Sequence, residues 1–247
     1  MMLKGIRIFN ANAIKFLAAA LMVVDHVGLL FFPTSPIFRW IGRLSLPLFA
    51  FAVSEGCRYT KNKVKHFALL FGLAALCQIV YYVAMESLYM CILVTFSLSV
   101  LTIYSLQYCK KQLFDGKLLA VPVFAVVVFL VWRICGLLEI DYGFWGCMLP
   151  VFASLFDFRG IENTPKCLQK CDCLSVRVVC MGIGLLLLSV FSHSPSQFFC
   201  LLSLPILLLY NGEKGKWNTK YFFYIFYPVH LGLLEGIFMV MYFLRLI

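Results

Sequence analysis

The chain has 247 residues, of which 63% are hydrophobic and only 13% charged, with a mean hydropathy of +0.94. Soluble domains are about 45–50% apolar and about 25% charged, so a water-solvated globule is excluded and an all-α, polytopic transmembrane helix bundle is expected. The formal net charge of +10 does not point to nucleic acid, because the basic residues sit in short gaps between apolar runs and not on one soluble face.

In chain order, nine spans are predicted, at 12–32, 37–57, 64–85, 89–108, 117–136, 142–157, 175–192, 196–210 and 220–244. The segments at 37–57 and 142–157 are open to a re-entrant reading. The runs are long and continuous and do not alternate over about ten residues, which argues against strands. Little polar sequence separates them, so residues 1–247 read as one integral-membrane domain. Lys4 and Arg7 ahead of the first apolar run resemble a signal peptide. That run is a full span interrupted by Asp25-His26, with no small-residue cleavage site after it, so a retained helix is expected.

The gaps carry basic residues alternately. Lys4, Arg7 and Lys15 come first, then Arg58, Lys61, Lys63 and Lys65, then Lys110, Lys111 and Lys117. Arg159, Lys166, Lys170 and Arg177 follow, and last Lys214, Lys216 and Lys220. The intervening gaps at 33–36, 86–89, 139–141 and 192–196 contain no Lys or Arg. The positive-inside rule then places the N-terminus in the cytoplasm and the C-terminus outside, which an odd number of spans satisfies. Of the four remaining basic residues, Arg245 is expected to snorkel at a helix end. Arg39 and Arg43 enter the second span from outside, and Arg133 lies in the outer part of the fifth.

The first span holds the most unusual feature, an aspartate and a histidine inside a bilayer-length run. An aspartate there costs about 2.5–3.5 kcal/mol even on insertion scales, so a partner or a chemical role is expected for it. His26 lies eleven residues past Lys15, or about 16 Å deep, and His230 ten residues past Lys220, or about 15 Å, at a rise of about 1.5 Å per residue. Both therefore reach the midplane of a core about 30 Å thick. Arg43 descends roughly two turns from the other side and is at the right depth to pair with Asp25. Eleven residues is close to three helical turns, so Lys15 and His26 share a helix face. That geometry suits a ligand whose anionic end stays at the cytoplasmic mouth while its reactive end reaches the histidine, the shape of acetyl-CoA. A neutral imidazole at this depth can take a proton from an amine or hydroxyl acceptor.

Other residues are more ambiguous. Glu55, next to Arg58, reads either as an interfacial salt bridge or as a functional carboxylate. Lys61, Lys63 and Lys65 suit either CoA phosphates or anionic lipid. The aromatic stretch 221–227, with Tyr227 at its end, reads as an interface belt leading into the last helix, and Pro228 as a kink that re-aims His230. His66 and His193 read as solvated. Most of the eleven cysteines lie in spans, where a thiol behaves as a small hydrophobe. Cys167, Cys171 and Cys173 share a loop, but their spacing is irregular and lacks a fourth ligand, so reduced thiols and no metal are expected.

These residues fall into blocks that resemble the TraX-like membrane proteins and, more distantly, the acyltransferase-3 superfamily. Ala13-Ile14-Lys15-Phe16-Leu17-Ala18 with Met22-Val23-Val24-Asp25-His26 is similar to the family's first-helix signature. Ile41-Gly42-Arg43-Leu44-Ser45-Leu46-Pro47-Leu48-Phe49-Ala50-Phe51 followed by Glu55-Gly56 and Tyr59-Thr60 is similar to its second block. Asp141-Tyr142-Gly143, Tyr210-Asn211-Gly212 and the stretch from Tyr221 to Leu231 resemble its later ones. The resemblance spans nearly the whole length and implies acetyl transfer in the inner or plasma membrane; its founding member is associated with N-terminal acetylation of a conjugative pilin. In the acyltransferase-3 proteins a basic residue precedes the first-helix histidine by ten intervening residues, usually Arg where this chain has Lys15.

Together these readings give His26, Asp25, His230 and Arg43 as catalytic candidates. Lys15, Lys61, Lys63, Glu55 and Tyr227 are the candidate residues for the acetyl-CoA donor. The acceptor is an unidentified protein N-terminus, glycan or small molecule, the surroundings are the lipid bilayer, and oligomerisation is left open. Two other functions fit less closely: a proton-coupled transporter with Asp25, His26 and His230 as relay, and a non-catalytic partner in a secretion or conjugation assembly. The transporter reading predicts two related halves, and the sequence shows no convincing internal repeat.

Overall fold

The computed structural model describes residues 7–192, 194–217 and 219–244, with side chains of 84, 85, 220 and 221 also outside the description. Lys4, His193 and Arg245, and the side chains of Lys220 and Tyr221, therefore lie outside the described residues. The described chain is helical. The order is α1 (Ala11–Phe31), α2 (Pro36–Gly42), α3 (Ser45–Tyr59), α4 (Lys63–Met85), α5 (Ile92–Phe114) and α6 (Ala120–Leu137). Then come α7 (Gly143–Ser154), α8 (Lys166–Cys171), α9 (Leu174–Phe191), a 3-10 segment Pro195–Leu202, α10 (Ser203–Leu208) and α11 (Lys220–Phe243).

Each of the nine expected spans has a helical counterpart, and seven of these are long and apolar enough to cross a membrane. The other two, Gly143–Ser154 and Pro195–Leu208, are shorter apolar helices. The second span is broken, because α2 ends and α3 begins on either side of a turn at Arg43 and Leu44. Pro228 lies inside α11, which runs unbroken from Lys220 to Phe243. The chain divides into two compact units, Met1–Phe49 with Ser194–Ile247, and Ala50–His193.

In the first unit, the chain ahead of α1 is tied to the chain ahead of α11. Phe9 donates its N–H to the Leu209 carbonyl at 3.1 Å, and Asn211 donates to the Phe9 carbonyl at 2.9 Å. Asn10 caps α1 by accepting from the Ala13 N–H at 2.9 Å, the usual role of a short polar side chain at a helix start. Asn12, buried one turn in, donates to the Trp217 carbonyl at 2.8 Å and accepts from the Thr219 hydroxyl at 2.9 Å. Gly215 has φ +90°, and a Cβ there would stand 2.9 Å from both asparagine side chains, so glycine is required twice over. With their starts joined, α1 and α11 run parallel, as the ring pairs Phe16–Phe222, His26–His230 and Phe31–Phe238 show. An odd number of crossings requires that orientation.

α2 folds back against α1 through two glycines. A Cβ on Gly28 would collide with Phe38, and one on Gly42 with the side chain of Asp25. The Ser45 hydroxyl donates to the Ala18 carbonyl at 2.8 Å. Small residues permit this close backbone approach, which holds helices together where lipid removes the hydrophobic drive.

The second unit is built around α5, which packs against α4, α6 and α7, with α7 also against α9. Its small polar residues are satisfied locally: Ser97 donates to the Leu93 carbonyl, and Ser99 to the carbonyls of Thr95 and Cys147. The Asp141-Tyr142-Gly143 turn joins this bundle at one end. Asp141 donates its N–H to the Met90 carbonyl at 2.9 Å, and its own carbonyl accepts from the Thr95 hydroxyl at 2.8 Å. Tyr142 and Gly143 both have positive φ, 59° and 55°. A Cβ at Gly146 would strike the Tyr142 side chain. Tyr89 donates its phenol to the Asp141 carboxylate at 2.7 Å; burial, and then that carboxylate, push the phenol well above its ordinary range, so it stays a donor.

Candidate functional site

The two intramembrane histidines meet inside the first unit. Their ring centroids are 5.2 Å apart with planes at 64°, an edge-to-face contact between α1 and α11. In each, Nδ1 lies 2.9 Å from a carbonyl one turn earlier in its own helix, Met22 for His26 and Phe226 for His230. A carbonyl oxygen can only accept, so both Nδ1 atoms carry hydrogen, and in the neutral rings both Nε2 atoms keep a lone pair. His230 is 6% exposed, stacks on Phe226 at 4.8 Å and meets the edge of Tyr227 at 5.7 Å. Its Nε2 is buried with no hydrogen-bond partner among the described residues. A buried acceptor left empty is costly, and here it is aimed from a fixed ring beside a second imidazole of the same tautomer.

Lys15 is on the same side of α1 as His26, as the eleven-residue spacing predicts. Its Nζ stands 5.8 Å from the Phe223 ring, on the helix that also presents His230. Phe16, Phe222 and Phe223 pack together next to it at 5.1–5.3 Å. Lys15, His26, Tyr227 and His230 are thus brought together along the α1–α11 seam.

Asp25 turns away from that seam toward α2. The expected Asp25–Arg43 pair is not the bond that forms: Arg39 donates to Asp25 Oδ2 at 2.6 Å. Gly42 lies level with the carboxylate and leaves room for it against the α2 backbone, and Arg39, one turn earlier, shares that face. Arg43 ends α2 as its C-cap, and its charge also acts on Asp25. Asp25 Oδ1 is buried with no hydrogen-bond partner among the described residues. Replacing Gly42 by Ala is expected to drive Asp25 off Arg39, destabilising the protein by about 1–3 kcal/mol. Thermal unfolding in detergent measures this, and an unchanged midpoint would refute the close approach.

Glu55, Lys61 and Lys63 belong to the second unit. Glu55 is 6% exposed and bonds not Arg58 but Arg177, at 2.5 Å. Arg177 also donates to the Ala153 carbonyl at 2.9 Å and the Ser54 hydroxyl at 3.1 Å. Arg58 instead pairs with Asp172 at 2.6 Å and Asp157 at 3.3 Å. Lys110, read from the sequence as a loop marker, is 8% exposed and donates to the carbonyls of Ser154 at 2.8 Å and Asp157 at 3.0 Å. Lys61 is exposed, and Lys63 lies 5.3 Å from the Tyr104 ring. His66 is not solvated as expected, since its Nδ1 is 2.6 Å from the Tyr104 hydroxyl. In the cysteine loop, Cys167 and Cys173 are exposed and Cys171 half-buried.

Apolar helices of bilayer length, carrying ion pairs and facing histidines in their interiors, define a polytopic α-helical membrane protein. Residues 10–238 match the TraX protein family, and the chain belongs to that family. It is also similar to a probable fimbrial assembly protein FimC, serogroup H1, of Dichelobacter nodosus, with 26% identity over 241 residues covering 92% of this chain and 94% of that one. No solved structure matches the chain.

Proposed function

We propose that this chain is an integral-membrane acetyltransferase of the inner or plasma membrane, moving an acetyl group from cytoplasmic acetyl-CoA to an amine or hydroxyl acceptor. The observation that carries this reading is the pair of facing imidazoles whose Nδ1 hydrogens are both given to their own helices. That arrangement leaves two Nε2 lone pairs, one of them without a hydrogen-bond partner among the described residues, as proton acceptors in a low-dielectric site. His26, the less buried of the two, takes the acceptor's proton as its nitrogen or oxygen attacks the thioester carbonyl. The carbon–sulfur bond breaks, CoA leaves as thiolate, and the proton passes to it from the imidazolium. His230 orients the acceptor or carries the proton onward. Lys15 holds a donor phosphate at the mouth, with Tyr227 along the path. Glu55, engaged by Arg177 in the second unit, serves the scaffold. Arg39 fixes Asp25, and Arg43 adds positive charge beside it.

Family membership and the alternate loop charges support this reading, with the N-terminus cytoplasmic and the C-terminus outside. The parallel run of α1 and α11 fits an odd number of crossings. Similarity to a probable fimbrial assembly protein makes a fimbrial subunit the first acceptor to test.

The test is free-thiol release from acetyl-CoA by the purified full chain in nanodiscs, with an N-terminally free peptide or a small hydroxyl compound as acceptor. Acceptor-dependent release is expected. None above buffer with any acceptor, together with solute flux into proteoliposomes that needs no acetyl-CoA, would overturn it in favour of a histidine-relay transporter.

A further inference from the structure

The α6–α7 corner of the second unit holds a feature that the acetyl-transfer reading does not use. Cys135, two residues before the end of α6, and Cys147, in the second turn of α7, point at each other with their sulfurs 3.7 Å apart. Cys147 is fully buried, while Cys135 is half-buried. A covalent disulfide needs about 2.0 Å between sulfurs, so a closing movement of about 1.7 Å is enough, within reach of side-chain rotation. The five residues joining the helices do not have to rearrange, because Met90 already holds the backbone of Glu139 and Asp141 in place. The corner belongs to a gap without Lys or Arg, which the loop charges place at the outer face, where disulfides persist.

We propose that Cys135 and Cys147 form a disulfide in the cell, by exchange with a disulfide-carrying oxidant at the outer face. The compartment, though not the geometry, rests on the sidedness proposed above. Cys135 is the accessible partner, so its thiolate attacks the oxidant's disulfide, forming a mixed disulfide and releasing one thiol. The Cys147 thiolate then attacks the Cys135 sulfur and releases the second. Two cysteine protons end on two released thiols, and two electrons pass to the oxidant, so the exchange balances. The bond closes a loop of about a dozen residues around the Asp141-Tyr142 turn and removes a half-exposed thiol from oxidation beyond the disulfide.

The experiment uses the full chain in native membranes from aerobically grown cells, quenched in acid and alkylated with N-ethylmaleimide before digestion without reductant. Mass spectrometry is expected to find the Cys135 and Cys147 peptides joined, 2 Da below their summed mass, and separated by reductant. Both peptides alkylated, or Cys135 joined to another cysteine, overturns the proposal. A parallel sample of purified protein treated with oxidised glutathione separates the two ways of failing. Linkage there but not in the cell faults the sidedness, and linkage in neither faults the geometry. Linked protein is expected to melt about 5 °C higher than Cys135→Ser, and equal melting of the two overturns the structural role.

Discussion

Replacing His26 by Ala is expected to lower acetyl transfer by about 10²–10⁴-fold, the usual contribution of a positioned proton acceptor, with the protein still folded. Among the described residues the ring makes one hydrogen bond, to the Met22 carbonyl of its own helix. That carbonyl keeps its ordinary helical partner when the ring is gone, so the loss falls on chemistry and not on packing. His230→Ala is expected to lose rate by a similar factor but to destabilise as well, because its ring is 6% exposed and stacked on Phe226. If the two imidazoles act as one proton-handling unit, the double variant is no worse than the slower single one. Thiol release on all three variants decides the matter. Full activity in His26→Ala would remove it from the reaction, and strictly multiplicative losses would separate the two roles.

The convergence of His26 and His230 was legible in the sequence because depth along a helix is a matter of counting, and both residues count from a basic residue at the start of their helix. The facing of Lys15 and His26 was legible for a similar reason, since eleven residues is a near-integral number of turns. What counting could not give was the partner of Asp25. Arg43 had the right depth, but the choice of Arg39 depends on Gly42, whose missing side chain lets the carboxylate lie against α2. The charges read as topology markers show the same limit. Lys110 and Arg177 sit near helix ends, as the positive-inside pattern requires, yet both side chains turn inward and are consumed by carbonyls and a carboxylate. His66 was read from its basic neighbours, whereas Tyr104, its partner, is 38 residues away in sequence. The spans themselves were legible because each is a continuous apolar run, and 142–157 already stood out as short enough to be re-entrant; the turn that starts Gly143–Ser154 was not legible, since it is set by contacts with Met90 and Thr95.

Arg177→Met is expected to be among the most damaging single substitutions, destabilising the protein by about 3–5 kcal/mol, the range for a buried pair that loses one partner. Glu55 and Arg177 are 6% and 4% exposed, and the guanidinium holds three acceptors at once: Glu55, the Ser54 hydroxyl and the Ala153 carbonyl. Removing it takes from the buried carboxylate the guanidinium that holds it at 2.5 Å. Glu55→Gln should cost less, because an amide oxygen still accepts from the guanidinium and Arg177 keeps its other two acceptors. The decisive variant is the double Glu55→Leu/Arg177→Met, which replaces both charges with apolar groups and leaves no orphaned ion. It is expected to recover most of the loss, since a matched apolar pair is often neutral or better in such a site. Unfolding midpoints in one detergent, compared across the three variants, measure the order. A double variant as unstable as Arg177→Met would mean that Ser54 and the Ala153 carbonyl, and not the ion pair, dominate the cost. Activity adds a second readout. Glu55 serves the scaffold, so the double variant, once folded, is expected to retain acetyl transfer that His26→Ala loses.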